Sequence, residues 1–479
     1  MKFSHPMDKA PLRARLRIRP SIGAFAAAVL TLLAAPAFAV DIADAYAHAQ
    51  KNDPVLSAAQ AGYRANRELV PQARSGLLPK LFLGGNLSRN KRSFPGATVQ
   101  DTNPTSPTFG RMMDFPSQTY TDRAYQAQLN QPVVNVSAWF DLKSATSRVQ
   151  AAEAALNATS QNLILRVVQA YLNVLRAQDR LEAAEAQETA VGRQLEQVQQ
   201  RFEVGLVAIT DVLEAQAAFD NSAVARIQAE GDLHVFFNAL ATLTGEDYQS
   251  LDRLAEALPI INPAPADEQA WVDAALDSNF NVLAARAQLE AANRNLAARR
   301  AAHLPTVDGS ISHSYFHTGG LSFLGDKTET TTYALTMNLP IYQGGFTHSR
   351  RKEARALADQ ARDELLNQQL TVTRDARSLF QTVATDVVRV GARLKAIASS
   401  QSALEATETG YEVGTRNIVD VLQAQQRLYA SQFDYADSRY NYVIDLMALK
   451  QVAGALVEED VMELNRFADS SNPVLRGGP

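Results

Sequence analysis

Between Tyr333 and Ile341 every second residue is apolar: Tyr333, Leu335, Met337, Leu339 and Ile341 alternate with Thr332, Ala334, Thr336 and Asn338. A period of two predicts a strand with one apolar and one small or polar face. Three further segments carry weaker versions of the pattern. Tyr125, Ala127, Leu129, Gln131 and Val133 alternate before Val134. Leu81, Leu83, Gly85 and Leu87 follow Leu78-Pro79, and Val307, Gly309, Ile311, His313 and Tyr315 follow Leu304-Pro305. The predicted strands cover residues 81–94, 120–134, 306–317 and 329–342. Polar, Gly- and Pro-containing loops join each pair, over 95–119 and 318–328.

Between the strand pairs the period changes. Residues 137–201 and 346–411 contain no proline, and Ala-rich stripes such as Ala151, Ala154, Ala155 and Ala158 lie among Leu156, Leu163, Val167 and Tyr171. These are helices about 100 Å long at about 1.5 Å per residue, with small faces suited to close coiled-coil packing. Shorter helices are predicted over 42–77, 209–244, 268–302 and 418–455, with prolines 79 and 305 stopping two of them.

The order helix, strand, strand, long helix, turn, helix occurs twice. Arg201-Phe202-Glu203-Val204-Gly205-Leu206-Val207-Ala208-Ile209-Thr210-Asp211-Val212-Leu213 returns as Gly410-Tyr411-Glu412-Val413-Gly414-Thr415-Arg416-Asn417-Ile418-Val419-Asp420-Val421-Leu422, 209 residues later. The chain therefore divides into a first repeat over 40–260 and a second over 261–466. The tail, 467–479, is short and polar and reads as disordered.

Four apolar-alternating strands leave two unpaired edges, which a bilayer does not tolerate. The fold class that resolves this is mainly α, with a transmembrane β-barrel built from several copies of the chain. Two, three or four copies would each close one. The rival arrangement is a periplasmic coiled-coil structural or adhesion protein without a pore, capped by a soluble sheet. A periplasmic adaptor would carry one hairpin and one soluble β-domain, not two strand pairs.

The first 39 residues stand apart. Lys9, Arg13, Arg15, Arg17 and Arg19 precede an apolar run over 22–35 and the sequence Ala37-Phe38-Ala39, the pattern of a cleaved signal peptide. Losing its six basic residues and one acid takes the net charge from −5 to −10. An acidic chain without a basic groove is not a nucleic-acid partner. There is no cysteine, hence no disulfide, no thiolate and no lipid attachment after the signal. No His-Glu-x-x-His, Gly-x-Ser-x-Gly or phosphate-binding loop is present, so no enzyme and no cofactor is expected. His313 and His317 share a strand face or its loop, where surface or interface placement outweighs a metal site.

The repeated turn reads in two ways. Gly205 and Gly414 end helices as left-handed caps, and Asp211 with Glu214, or Asp420 with Gln423, fits a capping box. Alternatively, an inward aspartate repeated by symmetry forms a negative ring across a pore. Turns projecting from the end of a long tube are also docking points for another protein, through Val204, Gly205, Leu206, Val413, Gly414 and Thr415.

On these two turns and on Leu339-Pro340-Ile341-Tyr342-x-Gly344-Gly345, the chain resembles the TolC family of outer-membrane efflux and secretion channels over about 430 residues. The resemblance implies a homotrimer with a twelve-stranded barrel in the outer membrane, continuous with a periplasmic helical tunnel. It implies work with a periplasmic adaptor and an inner-membrane ABC or proton-driven transporter, in type I protein secretion or small-molecule efflux. It places Tyr411 against Asp211 and Arg416 against Thr210 in a closed tip. Asp420 matches the family's acidic pore ring, while Gln423 stands where some members carry a second acid. The absence of a cysteine after the signal sets the chain apart from the lipidated multidrug branch.

Overall fold

The computed structural model describes residues 39–477 except 116, 256 and 321–325. The expected signal segment therefore lies outside the described residues, apart from Ala39. The first repeat comprises α1 (Ile42–Asn52), α2 (Pro54–Arg67), α3 (Leu69–Arg74), β1 (Lys80–Arg92), a small hairpin of β2 (Thr98–Gln100) and β3 (Met112–Asp114), β4 (Gln118–Val134), α4 (Val136–Glu203) and α5 (Ile209–Thr244). After β5 (Ser250–Leu254), the second repeat comprises α6 (Glu268–Ser278), α7 (Phe280–Ala301), β6 (Thr306–Thr318), β7 (Lys327–Asn338), α8 (Phe346–Glu412) and α9 (Ile418–Val452). Then come α10 (Glu458–Asn465) and β8 (Ala468–Leu475).

The two long helices are 68 and 67 residues long. Among the described residues no helix is long and apolar enough to cross a membrane.

The helices entering each strand pair are broken where continuous ones were expected. A capping side chain makes the break at Asp53 and the one at Asn279, whereas the step from α2 to α3 at Glu68 has no side-chain cap. Asp53 accepts the Leu56 N–H at 2.9 Å ahead of Pro54, and Asn279 accepts the N–H groups of Asn281 and Val282 at 2.9 and 3.2 Å. Both stop one helix and start the next. Asp53 is also held by Arg166 of α4 at 2.7 Å.

The tail is a correction to the sequence reading. Residues 468–475 form β8, antiparallel to β5, with Leu251 opposite Val474. Both of these side chains are buried in the central core with Val167, Leu172, Phe237 and Leu449. The Tyr171 hydroxyl donates to the carbonyls of Val40 and Asp252 at 3.1 and 2.7 Å, tying this small sheet to α4. Polarity alone suggests disorder; an edge partner far earlier in the chain, with Leu251 opposite Val474, supplies the missing backbone hydrogen bonds.

The main sheet runs β1-β4-β6-β7, every neighbour antiparallel. β7 stops at Asn338 rather than continuing to 342, because its partner β6 begins at Thr306, opposite Asn338. β4 continues past Pro132 by way of a bulge, as a residue without an N–H requires.

Cross-strand partners share a face. One face carries Leu81, Leu83 and Leu87 of β1, Tyr125 and Leu129 of β4, Ile311 and Tyr315 of β6, and Tyr333, Leu335 and Met337 of β7. The other carries Asn86, Ser88, Gln126, Gln128, Asn130, Ser310, Ser312, Ser314, Thr330, Thr332 and Thr336, with Phe82 and Phe316 as apolar exceptions. In the single chain the apolar face is bare: Tyr333 and Leu335 are 75% and 74% exposed. The edges β1 and β7 have no strand partner among the described residues.

An acidic pair joins α8 and α9, with one member buried. Asp386 of α8 is fully buried and lies 2.8 Å from Arg389. Asp445 of α9 is pushed up to about 6, first by burial and then by Asp386, against the pull of Arg389 and Arg176. The folded state therefore binds a proton that the unfolded state has already released, between the ordinary carboxylate range and about pH 6. Over that window stability falls as pH rises. Asp445 keeps partial access to solvent, so the effect is on the order of 1 kcal/mol. Thermal unfolding at pH 4, 5, 6 and 7 is expected to show this decline in the native chain. Asp445→Asn is expected to flatten it and to be the more stable form at pH 7. An unchanged slope would remove Asp445 from the account.

Candidate functional site: the paired helix-end turns

The two copies of the repeated turn close on the same backbone hydrogen bonds. In the first, Leu206 N–H donates to Arg201 C=O at 2.8 Å and Gly205 N–H to Phe202 C=O at 2.8 Å. In the second, Thr415 N–H donates to Gly410 C=O at 2.8 Å and Gly414 N–H to Tyr411 C=O at 3.2 Å. Each is the helix-ending motif in which a left-handed residue turns the chain back on the last carbonyls. Gly205 and Gly414 have φ of +77° and +80°, which is why the motif needs glycine there.

The side chains at the turns are bare. Val204, Leu206 and Val413 are each about 70% exposed, and Thr415 is exposed beside them. Beneath the turns a small core of Val198, Leu404, Tyr411, Ile418, Val421 and Leu428 joins both helical hairpins. The two copies of the motif therefore lie at one end of the helical region.

The aspartates differ, and not as the sequence suggested. Neither expected capping box forms. Instead Asn417 caps α9: it accepts the Asp420 N–H at 2.8 Å, while Asp420 accepts the Asn417 N–H at 3.2 Å. Asp420 is thus the third residue of the helix and half of a reciprocal pair. Arg416 approaches it to only 4.0 Å and is itself well exposed. In the first turn the cap position is Ala208, which offers no side-chain oxygen. Asp211 consequently has no hydrogen bond or ion pair from its side chain among the described residues, and Thr210 beside it is exposed. The Asn-x-x-Asp pattern at 417–420 was the sequence signal for this difference.

Tyr411 is buried at the joint, and its pKa is raised by that burial. The positive charge of Arg201 opposes the shift and Asp211 adds to it. The Arg201 guanidinium lies over the Tyr411 ring, 4.9 Å from its centre, a cation–π contact. The Tyr411 hydroxyl is buried with no hydrogen-bond partner of acceptable geometry among the described residues. So Tyr411 and Asp211 are neighbours, but the bond implied by the resemblance is absent within one chain. Arg416 leans toward Asp420 rather than Thr210. Gln423 is exposed one turn beyond Asp420. Arg201 was missed from the sequence because a lone arginine ending a helix carries no distinctive spacing.

No group of three or more His, Asp or Glu positioned to hold a metal exists among the described residues. His313 and His317 share the apolar sheet face, and His313 bonds the Thr331 hydroxyl at 2.9 Å.

Comparison with known proteins matches this geometry to a family. The profile of the outer membrane efflux protein family matches residues 45–246 and 271–455, leaving unmatched the segment that holds β5. The chain is 35% identical over 448 residues to outer membrane protein TolC of Vibrio cholerae, covering 92% of this chain and 97% of that protein. It is 26% identical over 452 residues to the alkaline protease secretion protein AprF of Pseudomonas aeruginosa, covering 94% and 92%. Its fold matches a crystal structure of CusC with a TM-score of 0.73 at 19% identity, over 87% of this chain and 93% of that one. On this family match and on the TolC relative that it parallels from end to end, the chain belongs to the outer membrane efflux protein family of non-enzymatic, TolC-like channels.

Proposed function

We propose that three copies of this chain form a continuous exit duct, with a twelve-stranded barrel in the outer membrane above a periplasmic helical tunnel. The observation that carries the proposal is the four-stranded sheet. It has one apolar face, one polar face and two unpaired edges, which supports its being one segment of a closed wall whose outer surface meets lipid and whose inner surface meets water; the count of three follows the TolC-family resemblance. The signal peptide delivers the chain to the periplasm and is cleaved after Ala39. The duct serves type I protein secretion, small-molecule efflux, or both, with an inner-membrane transporter and a periplasmic adaptor. The exposed turns at Val204–Leu206 and Val413–Thr415 are the adaptor's docking points. Resemblance to AprF by name supports secretion of a protein cargo. The rival pore-less adhesion protein would have no use for an apolar sheet face backed by a polar one.

The tip is the gate. The orphan Tyr411 hydroxyl and unpaired Asp211 are groups waiting for partners, and symmetry copies of the same tip bring them. Planar-bilayer recording of the purified mature protein is expected to show small, cation-selective openings. Tyr411→Phe with Arg416→Ser removes two donors and is expected to raise basal conductance several-fold. A double variant that conducts like the native protein would remove both residues from the latch.

Asp420→Asn tests the ring. Its amide retains an acceptor for the Asn417 N–H, so the cap largely survives while three negative charges are lost. Cation selectivity is expected to fall and block by trivalent cations to weaken. Unaltered selectivity would leave Asp420 with its capping role alone.

A further inference from the structure

At the end of the sheet remote from the helices, the apolar face turns basic. Arg123 of β4 stands directly opposite His317 of β6, and His317 directly opposite Lys327 of β7. Leu87 of β1 completes this row, and Arg89 and Lys91 follow it on the same face. Neighbouring strands are about 4.8 Å apart, so cations on β1, β4 and β7, with His317 of β6 between them, span about 15 Å of sheet. Arg89, Lys91, Arg123 and Lys327 are exposed, and none of them is in an ion pair among the described residues. The Nδ1 of His317 is buried without a hydrogen-bond partner among the described residues. Glu329 is the single acid of the paired strands on this face at this end, and it sits opposite Tyr315 rather than beside a cation on a partner strand. By contrast Asp122, Arg92 and Tyr120 belong to the polar face, where Arg92 covers the Tyr120 ring.

Placement decides what this row can do. It shares a face with Leu81, Leu83, Leu87 and Leu335, so it looks outward to lipid and not into a lumen. Unpaired cations are costly in hydrocarbon and stable at headgroup level. Guanidinium groups hold phosphate oxygens two at a time, and lysine adds a mobile point charge. Resting on the duct orientation proposed above, we propose that this row is a binding site for a lipid whose headgroup carries more than one phosphate. Its acyl chains would lie along the Leu81–Leu87 and Tyr333–Met337 surface. Such a site fixes the height of the barrel in the outer leaflet and seals its wall against the surrounding lipid.

The test uses the full mature protein in a mild non-ionic detergent, with bound lipid counted by native mass spectrometry. The probes are a bisphosphorylated glycolipid (lipid A), its monophosphorylated form, and a zwitterionic phospholipid. Lipid A is expected to bind at least about tenfold more tightly than the zwitterionic lipid, with the monophosphorylated form between them. The combined variant Arg89→Gln, Lys91→Gln, Arg123→Gln, Lys327→Gln is expected to lose that preference. Arg92→Gln, on the opposite face, is expected to keep it. Equal retention by the combined variant, or equal binding of the three lipids by the native protein, would overturn the proposal. Displacement of lipid A by low-millimolar inorganic phosphate would show a free-anion site and overturn the lipid assignment. If the combined variant fails to assemble, the native protein's ranking of the three lipids still decides the matter. Conductance recorded on the same preparation separates this outcome from failure of the duct itself: a conducting protein without lipid preference overturns only the lipid site.

Discussion

An arginine at Leu335 is expected to abolish assembly in the outer membrane, whereas an arginine at the adjacent Thr336 is expected to be tolerated. The two residues are neighbours in β7, yet Leu335 lies on the apolar face opposite Gly309, and Thr336 on the polar face opposite Asp308. On a lipid-facing surface an arginine near mid-bilayer costs about 2–4 kcal/mol. Repeated three times in the proposed trimer it costs roughly 6–12 kcal/mol, comparable with the whole stability of a domain. At 336 the same side chain points toward water and gains Asp308 as a cross-strand partner. Its effect should be a shift of selectivity away from cations. Heat-sensitive oligomer bands in outer-membrane fractions, followed by bilayer recording, measure both. Equal assembly of the two variants would mean that the faces are assigned the wrong way round or that the sheet is not in lipid.

The second large effect is expected at Gly454, outside both the four-stranded sheet and the tip. The residue ends α9 with φ of +71°, and a Cβ there would sit 2.2 Å from the Ser278 carbonyl oxygen and 3.0 Å from the Asn279 nitrogen. Both obstacles are backbone, at the break between α6 and α7, where the Asn279 side chain also donates to the Val452 carbonyl at 2.9 Å. Neither neighbour can step aside alone. Gly454→Ala combines left-handed strain of about 1–2 kcal/mol with displacement of packed backbone, for a total of at least about 3 kcal/mol. Gly205→Ala provides the control. Its φ is equally positive at +77°, but nothing lies within 4 Å of the added carbon, so strain alone should appear. Thermal unfolding of both variants compares them directly. Similar small losses would show that the α6–α7 break yields easily.

Much of this architecture was readable in the sequence because its signals are local. The Tyr333–Met337 alternation, the proline-free helices and the doubled Val-Gly turns each depend on a few neighbouring residues, and each is found where expected. The strand boundaries moved where a partner, not a propensity, sets the limit, as at Asn338. The paired helix breaks at Asp53 and Asn279 were visible as capping residues inside otherwise helical stretches, but their strength depends on Arg166 in one case and Val452 in the other.

The chemistry of the tip divided in the same way. Sequence alone determined that two equivalent turns exist, that each needs a glycine at its left-handed position, and that an aspartate follows each six residues later. Which aspartate is occupied was decided by tertiary structure and by one flanking residue: Asn417 can reciprocate with Asp420, and Ala208 cannot do so with Asp211. That Tyr411 is buried beneath Arg201 and close to Asp211 required the two helical hairpins to meet, since these residues are 210 and 200 positions apart. The tail shows the same limit most plainly. Polarity determined that residues 468–475 could not form a core by themselves. Only the fold brought β5 alongside to satisfy their backbone and bury Val474, because a strand's stability resides in its partner rather than in its own sequence.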